Sequence, residues 1–575
     1  MDLILLWLIT LVLGYWIFKK FKEWQSLPPG PWGVPVLGYL PFLNAKLPHL
    51  SLTELSKTYG SIYSVQMGNV FTVVLTDHRL VREAFSKETF SGRAPLFLTH
   101  GIMNGKGIIC AEGPLWKDQR KLLTTWLKSF GMSKHSASRE SLEKRIAVGA
   151  TELLQPQKPD HANDVSKVTF PVSLTNVAAR PAVRRAVRRF IAPPDVETAH
   201  KSGKPIDLSN MITNSIGHVI NEIIFGFKFP SEDKTWFWLR QIQEEGCHEM
   251  GVAGAVNFLP FVRFFSRTLQ KTIKVIVRGQ AQTHRLYASI VARRRKMLNL
   301  SQPEGSECAA HAPAAGPLEC VKYSKHAATL EKHYFDPEIL KPTDGDCILD
   351  NFLSEQKRRF EAKEESARFV TDEQMLYFLA DMFGAGLDTS AVSLAWFLLY
   401  MALHPDEQES IRNEIQTVYP EEEPVDCERL PRLMAAVCET QRIRSIVPLG
   451  VPHGCLQDTQ LAGYRIPRGA MVVALQWALH MDPHVWPEPD RFRPSRFLAP
   501  DGSLLKPQEF IPFQTGKRMC PGDELSRMVS CGVLTRLLRG WRVRLAGDAP
   551  SAEDLLGTVG VTLAPPKVLY HCEKI

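Results

Sequence analysis

The amino-acid sequence predicts a mainly α-helical protein with a small β component, tethered to a membrane by its N-terminus. Three observations carry this reading. Leu3 to Phe18 is uncharged and is followed by Lys19, Lys20 and Lys22. Thr371 to Leu403 joins a helix-capping sequence to a long apolar run that stops before Pro405. Only two places show paired β-forming segments around a turn. With 575 residues, 44% hydrophobic and 23% charged, the chain buries a core, which excludes global disorder and a small module. A net charge of +8 is mild for this length, so no nucleic-acid partner is expected. The 11 cysteines show no regular spacing, which argues against a secreted disulfide scaffold and for a reducing compartment.

In chain order, the apolar N-terminal stretch would rise about 24 Å as a helix. That is slightly under a bilayer core, but flanking lysines snorkel and the endoplasmic reticulum bilayer is thin. A positive leading region and a small-residue cleavage site are both missing, so residues 1–24 read as an uncleaved anchor, with the body cytosolic by the positive-inside rule. Residues 25–34, including Leu27-Pro28-Pro29-Gly30-Pro31, form a stiff hinge, and residues 35–575 form the body. Within it, Ser61–Met67 and Phe71–Leu75 flank Gly68-Asn69 as a hairpin, and Leu461–Ile466 and Ala470–Leu475 flank Pro467-Arg468-Gly469 as another. Residues 162–204 and 301–345 read as surface insertions. The first carries Arg180, Arg184, Arg185, Arg188 and Arg189, taken as a solvated helix face. The second carries Cys308, His311 and Cys320, whose spacing invites zinc but matches no compact finger.

The chemistry lies in two segments. Phe513-Gln514-Thr515-Gly516-Lys517-Arg518-Met519-Cys520-Pro521-Gly522 sets one cysteine among glycines. A thiolate that ligates haem iron needs backbone N–H groups aimed at its sulfur and no side chain in the way, which Gly516 and Gly522 would allow, with Phe513 shielding the ligand. Cys520 is therefore the expected ligand of a haem iron. The predicted long helix centres on Gly384-Ala385-Gly386-Leu387-Asp388-Thr389. Its glycines are expected to let it bulge over a flat cofactor, and Thr389 and Asp388 offer a hydroxyl and a carboxylate for proton delivery during dioxygen cleavage.

These motifs resemble the cytochrome P450 family, and further segments match it. Glu439-Thr440-Gln441-Arg442 has the family's Glu-x-x-Arg spacing, and Asp490 to Phe497 matches its meander, so Arg496 completes an expected structural triad with Glu439 and Arg442. Trp116, Arg120 and Arg518 match positions that bind haem propionates, and Arg93 and His453 align with propionate partners of the microsomal branch. The proline hinge and Pro448 to His453 resemble the drug-, steroid- and fatty-acid-oxidising microsomal enzymes. Gly92 to Met103 and Gln514 to Arg518 look like the insect ecdysteroid-synthesising hydroxylases.

The resemblance implies a helical triangular prism with a small β-rich lobe and haem b (iron protoporphyrin IX) between the long helix and the Cys520 loop. It implies a monooxygenase at the endoplasmic reticulum membrane that inserts one atom of O2 into a C–H bond of a lipophilic substrate, foremost a steroid of the ecdysteroid-precursor class. Electrons would come from NADPH through NADPH-cytochrome P450 reductase, with cytochrome b5 as a further partner. Pocket segments would contribute Phe383, Ala385, Leu449, Val451 and Val561. The alternatives are a fatty-acid or xenobiotic hydroxylase of the same branch, a haem-thiolate isomerase that needs no electrons, and a haem-binding protein without turnover.

Overall fold

The computed structural model describes residues 25–133, 136–154, 196–227, 229, 233–249, 251, 254–301, 346–421 and 425–575. The expected anchor, the arginine cluster and Cys308 to Cys320 lie outside these residues. The helices that position the site are α1 (His78–Ser86), α2 (Gly113–Ser129), α3 (Leu208–Phe225), α4 (Lys234–Glu249), α5 (Asp372–Leu403), α6 (Pro431–Ile443) and α7 (Asp523–Gly540). A five-stranded sheet forms the main β element, from β1 (Ile62–Met67), β2 (Val70–Leu75), β3 (Gly92–Arg93), β4 (His453–Gly454) and, beyond the separate hairpin of β5 (Thr459–Leu461) and β6 (Tyr464–Ile466), β7 (Met471–Ala474). Its order is β1-β2-β7-β4-β3. The fold is mainly helical with a small β lobe, as the sequence predicts.

Helix α5 starts where its cap places it. The Thr371 hydroxyl accepts the Gln374 N–H at 3.2 Å, and Asp372 and Glu373 sit in the first turn, where the helix dipole favours negative charge. Gln374 does not complete the capping box. Its amide instead pairs at both ends with the Gly107 backbone, accepting the N–H at 3.1 Å and donating to the carbonyl at 2.8 Å. Although α5 is long and apolar enough to cross a membrane, it is a core helix, packed against α3, α4, α6 and α7.

The expected bulge at its centre is absent, and α5 stays α-helical through residues 384–386. The glycines serve close packing instead. A Cβ at Gly384 would lie 2.8 Å from the Gln243 amide nitrogen on α4, and one at Gly386 would lie 3.0 Å from Ile220 Cδ1 on α3. The first hairpin forms as expected, β1 pairing antiparallel with β2. The second does not. Ala462 and Gly463 both take positive φ, 50° and 82°, so the tight turn falls there and pairs β5 with β6. Beyond Pro467, which lacks a ladder N–H, the chain crosses to β7, which runs parallel to β2.

Candidate functional site

Cys520 lies in the loop that leads into α7. Its N–H donates to the Phe513 carbonyl at 3.0 Å, which closes the loop, and the Gly522 N–H reaches its sulfur at 3.4 Å. Gly516 has φ +77°, and a Cβ there would sit 2.1 Å from the Phe85 carbonyl oxygen, so glycine is required to seat the loop on α1. That close approach is to α1 and not to the sulfur. At Gly522 a Cβ would make an ordinary 3.9 Å contact with Cys520 Sγ, so its contribution is the N–H. Cys520 is exposed yet densely enclosed by protein, as a residue facing an interior space is. Burial pushes its thiol up, while the Gly522 N–H and the Arg120 guanidinium pull it down. The net shift is upward, so ionising this sulfur calls for a cation bound to it, as metal ligation supplies.

Beside it sits a cationic cluster, buried at Arg93 and Arg518, that Glu112 and Asp381 offset only at a distance. Arg518 donates to the carbonyls of Ser91 at 2.5 Å, Ile109 at 3.3 Å and Ala111, and lies 4.4 Å over the Trp116 ring of α2. Arg93 donates to Ile109 O at 2.6 Å and Val451 O at 3.5 Å, and Arg120 donates to Met519 O. Among the described residues none of the three makes a salt bridge with a carboxylate; their hydrogen bonds go to neutral carbonyls. Burial, and then mutual repulsion, pulls Arg518 down to about 8; burial pulls Arg93 down to about 10. His453 stacks on Phe85 with ring centroids 3.6 Å apart and holds Nδ1 2.8 Å from Phe90 O. Among the described residues its buried Nε2 has no well-formed hydrogen bond, and the Gln514 amide is the polar group that faces the ring. Three guanidiniums without a direct ion pair and one imidazole nitrogen without a well-formed bond fit the two propionates of a haem.

The triad residues are brought together. Arg442 forms a two-point pair with Glu439 at 2.7 and 2.9 Å, both side chains being fully buried, and Arg496 reaches Glu439 at 3.3 Å. On α5, Ala385 is exposed and Thr389 and Val392 are half-buried, so positions 385, 389 and 392 form one open stripe on a helix otherwise largely enclosed. Thr389 Oγ1 donates to Ala385 O at 2.6 Å, and Asp388 accepts the Thr562 hydroxyl at 2.8 Å. Burial raises the Asp388 pKa, against the hydrogen bonds from Thr562 and Cys247.

Comparison with known proteins decides the family. The Cytochrome P450 family model matches residues 28–179 and 175–572. The chain belongs to the cytochrome P450 family. It is 37% identical over 577 residues to Cytochrome P450 306a1 of Drosophila melanogaster, covering 99% of this chain and 92% of that protein. Cytochrome P450 18a1 of the same species is 29% identical over 569 residues, covering 98% and 89%. Cytochrome P450 2J3 of Rattus norvegicus is 28% identical over 528 residues, covering 91% and 86%. The protein is thus a microsomal-type, insect-like P450 and a monooxygenase.

In this P450 the remaining expected pocket residues are divided. Val451 is exposed and Val561 is half-buried, whereas Phe383 packs edge-on to Trp236 and Tyr287, and Leu449 is buried in the core around the sheet. Sequence reasoning takes Asp381, the charged residue one turn before Ala385, only as an argument against a membrane span and gives it no role at the site. It accepts the N–H groups of Ile108 and Ile109 at 2.7 and 2.8 Å and fastens the 97–111 segment to α5. Burial pushes it up to about 7, against those N–H groups and Arg93. Because the folded value lies above the unfolded one, its contribution to stability is full at low pH and fades between about pH 4 and 7, by roughly 4 kcal/mol. Asp381→Asn is expected to flatten that fall. Thermal midpoints of both proteins between pH 4.5 and 8 check this, and parallel curves reject it.

Proposed function

We propose that this P450 hydroxylates a lipophilic steroid of the ecdysteroid-precursor class at the endoplasmic reticulum membrane, using haem b and electrons from NADPH through a reductase, with cytochrome b5 as a further partner. The observation that carries the monooxygenase site is the cluster of Arg93, Arg120, Arg518 and His453, whose guanidiniums make no direct ion pair, next to the open sulfur of Cys520. Cys520 would hold the iron, the four basic residues would hold the propionates, and Trp116 supports Arg518 from below. Bound haem supplies activation of O2, and thiolate donation favours cleavage of the O–O bond. The chain keeps water out and sets the substrate against the open stripe of α5. The Thr389 hydroxyl, satisfied as a donor by Ala385 O, keeps its lone pairs for a water molecule that delivers protons, and Asp388 one residue earlier is the acidic reservoir. Support for a steroid is the likeness of residues 92–103 and 514–518 to insect ecdysteroid hydroxylases, together with an apolar lining.

Turnover with reductase on sterols and fatty acids, with product identification, tests the substrate class; hydroxylation of fatty acids alone would overturn it. For the mechanism, Thr389→Ala is expected to keep NADPH oxidation running while product per NADPH falls, by up to about 10²-fold, and peroxide rises. Unchanged coupling would remove Thr389 from the reaction. Equal loss of substrate binding and NADPH use would make it a packing residue. Deleting residues 1–24 should release the protein in part from membranes without loss of haem; loss of haem would contradict the anchor reading.

A further inference from the structure

Three parts of the fold meet at one polar spot beside the open stripe of α5. Trp236, Leu239, Gln243 and Cys247 recur at helical spacing along α4, and Gln243 is the polar member of that inward face. Its amide lies against Gly384, where a Cβ would come within 2.8 Å of the nitrogen and 3.1 Å of the oxygen. One turn further along α5, Asp388 holds Thr562. The 557–564 turn is tied back to α4 by the Val561 N–H, which donates to Cys247 O at 2.9 Å. Gln243, Cys247, Gly384, Asp388 and Thr562 therefore converge, next to the exposed Ala385 and half-buried Thr389.

The protein asks little of the Gln243 amide. Gln374 uses both ends on the Gly107 backbone, and Gln408 uses both ends on Val543. Gln243 donates only to the sulfur of Cys247 at 3.0 Å, a weak acceptor, and its carbonyl has no partner among the described residues. A half-buried amide, admitted by a glycine and paired at one end with sulfur, keeps its carbonyl open to a hydrogen bond from a ligand on α5.

We propose that Gln243 is a substrate-binding residue that selects a lipophile bearing a hydroxyl group, anchoring that hydroxyl between α4, α5 and the 557–564 turn. A hydroxyl both donates and accepts, so it satisfies the amide carbonyl directly. The inference rests on the monooxygenase reading only in placing the substrate against α5, and it narrows the substrate from apolar to apolar with a fixed polar end.

Equilibrium dialysis of the full-length, haem-loaded protein tests it with two tritiated pairs, cholest-5-en-3β-ol against cholest-5-ene and 1-dodecanol against dodecane. The wild type is expected to bind the alcohol of at least one pair about tenfold more tightly than its hydrocarbon. Gln243→Met, close in volume, should erase that preference and leave hydrocarbon binding unchanged. Gly384→Ala, whose methyl would push the amide aside, should weaken the same preference without altering Gln243, and decides the matter if Gln243→Met fails to fold. A wild type with no alcohol preference in either pair, or a preference that survives in Gln243→Met, overturns the proposal. The reduced carbon monoxide spectrum, recorded in parallel, separates the two readings. Its failure to show thiolate ligation in the wild type would defeat the haem-thiolate assignment while the dialysis result stands.

Discussion

Cys520→His should abolish both the red-shifted Soret band of the reduced carbon monoxide complex and all hydroxylation, because imidazole donates less electron density to iron than thiolate. The loop itself should survive the change. The backbone bond from Cys520 N–H to Phe513 O does not involve the side chain, and Gly516 and Phe85 set the loop on α1 independently of residue 520. Haem content is therefore expected to fall less than activity, with Arg93, Arg120, Arg518 and His453 still available to the propionates. A second signature follows from the raised pKa of the buried thiol. Adding haem to wild-type apoprotein at neutral pH should release about one proton, which Cys520→Ser should not release. An unchanged Soret band in Cys520→His would remove Cys520 as the iron ligand.

The features legible in the sequence were those whose partners lie within one turn of helix or one loop. Glu439 and Arg442 are three residues apart on α6, and Thr371 caps its own helix, so their spacing carried the geometry. Cys520 was legible for the same reason, since Phe513, Gly516 and Gly522 are loop neighbours. The contact that requires glycine at 516 is with Phe85, which comes from a distant part of the chain that no local pattern reveals.

Long-range pairing also explains the other misses. Asp381 bonds Ile108 and Ile109 across more than 270 residues, and Gln243 meets Gly384 through the packing of α4 on α5. The only local hint was polarity: a carboxylate on an apolar helix, and one amide in the repeating face of α4. Gly384 and Gly386 read as helix-weakeners because glycine lowers helix propensity, yet α5 stays helical through both and tertiary packing uses the missing side chains for contact. At the second hairpin, Pro467-Arg468-Gly469 has turn chemistry, but two successive positive-φ residues at Ala462 and Gly463 match the strand twist and win.

Glu439→Gln is expected to produce the largest loss of stability among substitutions away from the sulfur. Arg442 is fully buried and spends its guanidinium on both Glu439 oxygens, His480 O at 2.8 Å and Pro489 O at 2.7 Å. Glu439 also accepts the Arg493 backbone N–H at 2.9 Å and pairs with Arg496, so one carboxylate joins α6 to the meander that precedes the Cys520 loop. Gln keeps the shape and removes the charge, leaving Arg442 without compensation in a site water does not reach. Removing one partner of such a pair costs about 3–5 kcal/mol. Arg442→Lys should be comparably severe, since an ammonium cannot span both carboxylate oxygens and two divergent carbonyls. The loss should appear as a lower urea midpoint and a lower yield of haem-loaded protein, with unaltered spectra in whatever folds, because neither residue belongs to the proposed haem contacts. The double variant Glu439→Gln with Arg442→Met should recover part of the loss by removing the stranded charge. A urea midpoint within error of wild type for Glu439→Gln would show that the triad's charge contributes nothing, and that its residues act by shape alone.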